Sequence, residues 1–167
     1  MSMYGSDEAF LTYAAARGYT EVATATESAR DIARLVGSEY VDGKYREGFP
    51  GYKTGERAQV REWPRTAAVD ARGYAIASDA QPIEVEHATY EAAYREIKSA
   101  GSLLPDVTQS AMVKRTSEQI GPIREETEYV TPHSVGSARP DIAVIDAILA
   151  PLIGARGPDF LGSSARS

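Results

Sequence analysis

The stretch PIEVEHATYEAAYREIKSAG, residues 82–101, decides the fold. Pro82 suits the first turn of a helix, where its missing N–H has no intrahelical role and its fixed φ is already helical. Ile83, His87, Tyr90, Tyr94 and Ile97 recur at the spacing of one helical face, and Gly101 supplies a stop. Ala88, Ala92 and Ala93 give small side chains for close packing against another helix. His87 lies on the apolar stripe, where a partly buried packing role is the expectation.

Outward from this helix the pattern stays mostly helical. Ser6 can cap a helix to about Ala16, with Asp7 and Glu8 at its positive end and Gly18 closing it. From Thr24 or Thr26 to about Val41, the residues Ala29, Ile32, Ala33, Val36 and Tyr40 mark a second buried face, with Asp42-Gly43 as its stop. From Gly43 to about Ser78 the chain then reads as one long irregular loop, carrying five glycines and two prolines, Pro50 and Pro64. Loops of that length inside a domain are uncommon and usually functional. Met112–Ile120 and Ile123–Val130 read as a hairpin about Gly121-Pro122, with too little apolar surface to stand alone. Residues 131–139 read as a linker. Pro140 to Ala150 reads as a helix that is apolar almost all round, which must be buried in its own domain or in a partner. A Gly/Ser/Arg-rich tail follows, expected to order only on binding.

The predicted fold is therefore mainly α: a small helical bundle with a long irregular loop, one β-hairpin and a C-terminal helix plus tail. Residues 1–130 form the helical domain, with loop 44–78 and hairpin 112–130. Residues 131–167 form the linker, apolar helix and tail.

Composition narrows the function. Hydrophobic residues make up 43% and charged residues 25%, the proportions of a globular protein. The absence of cysteine excludes a disulfide framework and suits a reducing cytoplasm. The start, MSMYGSDEAF, lacks a basic leader or apolar stretch, so no secretory signal is expected, and no membrane is expected as a partner. The net charge of -6 argues against a protein whose whole surface grips nucleic acid. The charge is uneven, though. Lys44–Arg65 holds six basic residues against three acids, a local +3 that leaves -9 on the rest.

That basic loop interleaves cations with Tyr45, Phe49, Tyr52 and Trp63. Such a mixture suits three roles: Phe49, Trp63 and Arg65 anchoring the loop, the same residues contacting a neighbouring subunit, or aromatic platforms for single-stranded nucleic acid. Catalysis finds no foothold. Glu84/Glu86 and Glu125/Glu126/Glu128 are carboxylate clusters without environments that would split their pKa values. His87 and His133 are isolated, and no metal or cofactor is expected. Gly51-Tyr52-Lys53-Thr54-Gly55 fails as a phosphate loop, because Glu56-Arg57 stands where Lys-Ser/Thr is needed. A small hydrolase lacks any supporting constellation, and the chain is expected not to be an enzyme.

The run Phe49-Pro50-Gly51, Gly55, Gln59, Trp63-Pro64-Arg65, then Gly73-Tyr74 and Ile76 ahead of the Pro82–Glu91 helix start, resembles a family of tailed-phage and prophage proteins encoded among head–tail joining genes. The resemblance spans about residues 4–130 and is strongest at 48–65. Members are often labelled DnaT-like single-stranded-DNA-binding, yet the resemblance is here taken to imply a head–tail connector (adaptor) subunit, akin to those of long-tailed phages and gene transfer agents. It implies a homo-oligomeric ring, a dodecamer in the family, located at the virion neck and assembled in the host bacterial cytoplasm. The ring would sit between the portal protein and a downstream stopper or tail protein, and genomic DNA would pass its acidic lumen without specific binding. Ile142, Ile145, Leu149, Leu152, Phe160 and Leu161 would then dock on the portal. The alternative implied by the label is a single-stranded-DNA-binding replication accessory protein.

Overall fold

The structure, a computed structural model, describes residues 2–104, the strands at 113–117 and 126–129, and residues 139–153. Five helices occur among them: α1 (Asp7–Arg17), α2 (Thr20–Thr24), α3 (Glu27–Tyr45), α4 (Ile83–Lys98) and α5 (Ala143–Ile153). Two short strand pairs accompany the helices, β1 (Tyr52–Lys53) with β2 (Arg65–Thr66) and β3 (Val113–Ser117) with β4 (Glu126–Tyr129). The fold is mainly α, as the sequence predicts.

Helix ends follow local chemistry. Ser6 accepts a hydrogen bond from the Ala9 N–H at the start of α1, and Gly18 closes it in the left-handed conformation with φ 71°. Thr26 caps α3 in the same way through the Ala29 N–H. Arg30 of α3 then reaches Asp7 of α1 through two bonds of 2.7 Å, locking the two N-terminal ends together.

The central packing pair is α3 against α4. Gly37 makes their close approach possible: a Cβ there would lie 2.8 Å from the Thr89 carbonyl oxygen and 3.1 Å from the Ala93 nitrogen. Ala88, Ala92 and Ala93 are fully buried opposite it. One core forms around Tyr40, Tyr45, Trp63, Val85, Ile145 and Leu149; a second forms around Phe10, Val22, Ala33 and Tyr90. Burying a side chain the size of Ile145 or Leu149 stabilises by about 1.5–3 kcal/mol.

Several sequence expectations need correction. The buried residues of α4 are Val85, Ala88, Thr89, Tyr90, Glu91, Ala92 and Ala93; of the expected stripe Tyr90 is buried, with Tyr94 and Ile97 packed against the same core, whereas Ile83 is largely exposed and His87 is half-buried. The small residues Ala88, Ala92 and Ala93 widen the buried face where it meets α3, and Tyr90 fills the second core beside them. On α3, Ile32 is exposed and Ala33 is buried. This helix also runs through Asp42-Gly43 to Tyr45, since the Asp42 side chain is bonded by Tyr4 and Arg61 and does not turn back to break the helix. The short helix α2 lies where the sequence predicts none, and α5 ends at Ile153, beyond the expected Ala150.

α5 packs back on the bundle. Tyr40 donates to the Pro140 carbonyl, Tyr45 donates to Asp146 at 2.6 Å, and Lys44 reaches the Pro140 carbonyl at 2.7 Å. Of the predicted hairpin, β3 and β4 pair antiparallel, with Val113 opposite Tyr129 and Ser117 opposite Glu126. The expected turn at Gly121-Pro122 lies outside the described residues, as do linker residues 131–138 and the tail with Phe160 and Leu161.

Candidate nucleic-acid interface

The loop between α3 and α4 is built on internal polar bonds. Arg65 is 8% exposed, and its guanidinium donates to the carbonyls of Pro50 at 2.8 Å and Gly51 at 2.6 Å and to Glu62 at 2.8 Å. This gathers the turn at residues 49–51 and aims the chain into β1. Phe49 and Trp63 are both buried and meet edge to face, centroids 5.8 Å apart. Below them, the Tyr4 hydroxyl donates to Asp42 at 2.6 Å and accepts from the Trp63 N–H at 3.1 Å. Arg61 completes the hub, reaching Asp42 at 3.2 Å and the Ser2 carbonyl at 2.8 Å. Burial is the chief cause that holds the Asp42 carboxyl above the usual carboxylate range, against the opposing pull of Tyr4 and Arg61.

Most of the basic run is thus consumed in internal ion pairs, three of them within or onto the loop. Lys44 pairs with Asp141, Lys53 with Glu62, Arg61 with Asp42, and Arg65 with Glu62. The cations left at the surface are Arg46, Arg57 and, further along, Arg72; none has an ion pair among the described residues.

Aromatic groups divide in the same way. Tyr45 is buried with Phe49 and Trp63, but Tyr52 is 74% exposed. Tyr74, outside the basic run, is 70% exposed. It sits on a tight turn in which the Asp70 carboxylate accepts from the N–H groups of Arg72 at 2.9 Å and Tyr74 at 2.8 Å. The arms of that turn pair at Val69 and Ala75, and Ile76 N–H donates to the Ala68 carbonyl at 2.9 Å. Tyr52 lies on β1, which pairs with Thr66 just upstream. Thr54 bonds the Ser78 carbonyl at 2.9 Å. The β1–β2 pair and the Val69–Ala75 turn, with Thr54 bonded to the Ser78 carbonyl, thus carry the two exposed tyrosines, and Arg57 and Arg72 are exposed in the same loop. Tyr74 and Arg72 escape a reading based on charge density alone, though the Asp70–Gly73 sequence is a recognisable turn signal.

The remaining candidates resolve as structural groups. His87 packs on Tyr13 with ring centroids 4.7 Å apart, and burial lowers its pKa. Glu86 is bonded by Gln81 at 2.8 Å. The described residues contain no cluster of three His, Cys, Asp or Glu side chains placed to hold a metal ion, and no helix among them is long and apolar enough to cross a membrane. His133 and Glu125 lie outside the described residues. Sequence reading missed Glu91, a fully buried carboxylate that accepts from Tyr13 at 2.9 Å and Tyr19 at 3.0 Å and pairs with Arg17 at 3.1 Å and Arg95 at 2.8 Å. It ties α1 to α4 and leaves no oxygen open for chemistry.

A protein-family model described as "Putative DnaT-like ssDNA binding protein" matches residues 2–166. No curated protein and no solved structure matches the chain. The connector assignment drawn from the resemblance is corrected by this match, which favours the single-stranded-DNA alternative. The helix assigned to portal docking is also committed elsewhere: Ile142, Ile145, Leu149 and Leu152 are all buried in the chain's own core.

Proposed function

The chain belongs to this DnaT-like family, and we propose that it binds single-stranded DNA through the loop carrying Tyr52, Tyr74, Arg57 and Arg72. The observation that carries the reading is the pair of tyrosines exposed by 74% and 70% on an otherwise well-buried aromatic set. Exposed rings with neighbouring cations suit stacked bases and a tracking phosphate backbone, and every base has a π-face, so the contact is tolerant of sequence. A net charge of -6 is compatible with this, because the cations need only line one face. The chemistry requires no cofactor and no reaction step. Duplex DNA, whose bases are already stacked, offers these rings nothing beyond its phosphates. The test is anisotropy titration of labelled oligo-dT and of a duplex of equal length over a range of salt. Micromolar or tighter binding of oligo-dT, weakening steeply with salt and exceeding duplex binding, supports the reading. Equal or absent binding of both refutes it.

A further inference from the structure

A cleft lies at the C-terminal end of α4, away from the loop. It has a volume of about 380 Å³ and is lined by Tyr94, Arg95, Lys98, Ser102, Leu103 and Ile142, among others. That size falls in the range of small-ligand clefts, about 300–1,000 Å³. Leu103 and Ile142 are buried and form an apolar floor. The Tyr94 ring is backed by Tyr19, stacked parallel at 3.7 Å, and Lys98 Nζ stands 5.3 Å from the Tyr94 centroid. Arg95 engages Glu91 through Nη1 alone, and Lys98 has no ion pair among the described residues. Among the described residues, no carboxylate lines the cleft. Its polar lining is therefore rich in donors above an apolar floor.

A phosphate is not the best occupant. The C-terminal end of α4 carries partial negative charge beside the cleft, and Glu91 already offsets Arg95. A flat, uncharged ring with several acceptors fits better. Guanine presents O6 and N7 side by side, the pair that Arg and Lys meet most often. Building on the single-stranded-DNA reading, we infer that this cleft takes one unstacked base of the bound strand and prefers guanine. The two sites are joined by α5. Pro140 and Ile142 lie at the cleft, while the Pro151 carbonyl accepts from Ala71 N–H at 3.0 Å, on the turn that carries Arg72 and Tyr74. An eleven-residue helix spans about 16 Å at ~1.5 Å per residue.

The test compares dT12 with dT12 carrying one dG, using wild type, Lys98→Ala and Tyr52→Ala. Wild type should bind the dG strand roughly tenfold tighter, within the discrimination of a good Arg/Lys–guanine contact. Lys98→Ala should abolish that preference while keeping most dT12 affinity, and Tyr52→Ala should weaken both strands while keeping the preference. Equal affinity of wild type for both strands, or a preference that survives Lys98→Ala, overturns the inference. Titration with guanosine 5′-monophosphate, followed by the NMR shifts of Leu103 and Ile142 methyls, separates the two readings. Shifts there without any dT12 binding would refute the loop interface and keep the pocket; dT12 binding with no shifts would refute the pocket and keep the interface.

Discussion

Tyr4 and Asp42, 38 residues apart, share a hydrogen bond of 2.6 Å in the interior. The tyrosine hydroxyl also accepts from the Trp63 N–H, so a single side chain joins the N-terminal segment, α3 and the loop that carries the proposed interface. Tyr4→Phe removes both bonds and leaves the Trp63 N–H and one Asp42 oxygen without them. A loss of about 1–3 kcal/mol in stability is expected, read by thermal or urea unfolding. Phe retains the ring packing, so the loss reports the hydroxyl alone.

Trp63→Ala should cost more. The side chain is 2% exposed and fills the base of the loop against Phe49, and large aromatic truncations in cores cost about 3–5 kcal/mol. Urea midpoints of wild type and variant read by circular dichroism check the cost, and wild-type fluorescence checks the burial. Trp63 is the only tryptophan, so a blue-shifted native emission that moves red on unfolding is the expected signature.

Asp7 and Asp42 bend the pH profile in opposite senses. Hydrogen bonds from Arg30 are the largest cause holding Asp7 below the usual carboxylate range, so its stabilisation is present above the unfolded value and lost as pH falls through the folded one. Asp42 is raised, so the folded state holds its proton more tightly and this group favours folding as pH falls toward the unfolded value. Asp7→Asn should therefore lower stability at neutral pH and flatten the acid limb of the unfolding profile, with no change at the lowest pH.

Much of this fold is legible in the chain. Ser6 and Gly18 mark α1, and the apolar density of Ile142 to Ile153 requires the buried helix that is found. What is not legible depends on contacts across the chain. The identity of the inner face of α4 depends on Gly37, 52 residues before Thr89, the group that its missing Cβ admits. The continuation of α3 past Asp42-Gly43 depends on Tyr4 and Arg61. The basic run looks like a binding surface in sequence because charge density cannot distinguish Arg65, folded onto backbone carbonyls, from Arg57, which stands in solvent. The aromatic half of the interface needed Tyr74, whose exposure follows from the Asp70 turn.

Arg57 and Arg72 should act on salt dependence. Each sits at the surface without an ion pair among the described residues, so alanine at either should leave folding intact. Each phosphate contact removed should flatten the slope of log K against log salt by about 0.7 for a single strand. Titrations of oligo-dT at several salt concentrations read this out, and an unchanged slope for both variants would take these cations out of the interface.

The most direct measurement is oligo-dT affinity of the Tyr52→Ala/Tyr74→Ala double variant beside wild type, with circular dichroism to verify the fold. Both rings are exposed, so the variant should melt within about 0.5 kcal/mol of wild type. The account predicts a loss of about 1–3 kcal/mol in binding for each stacked base given up. A correctly folded double variant that binds oligo-dT as tightly as wild type would contradict it.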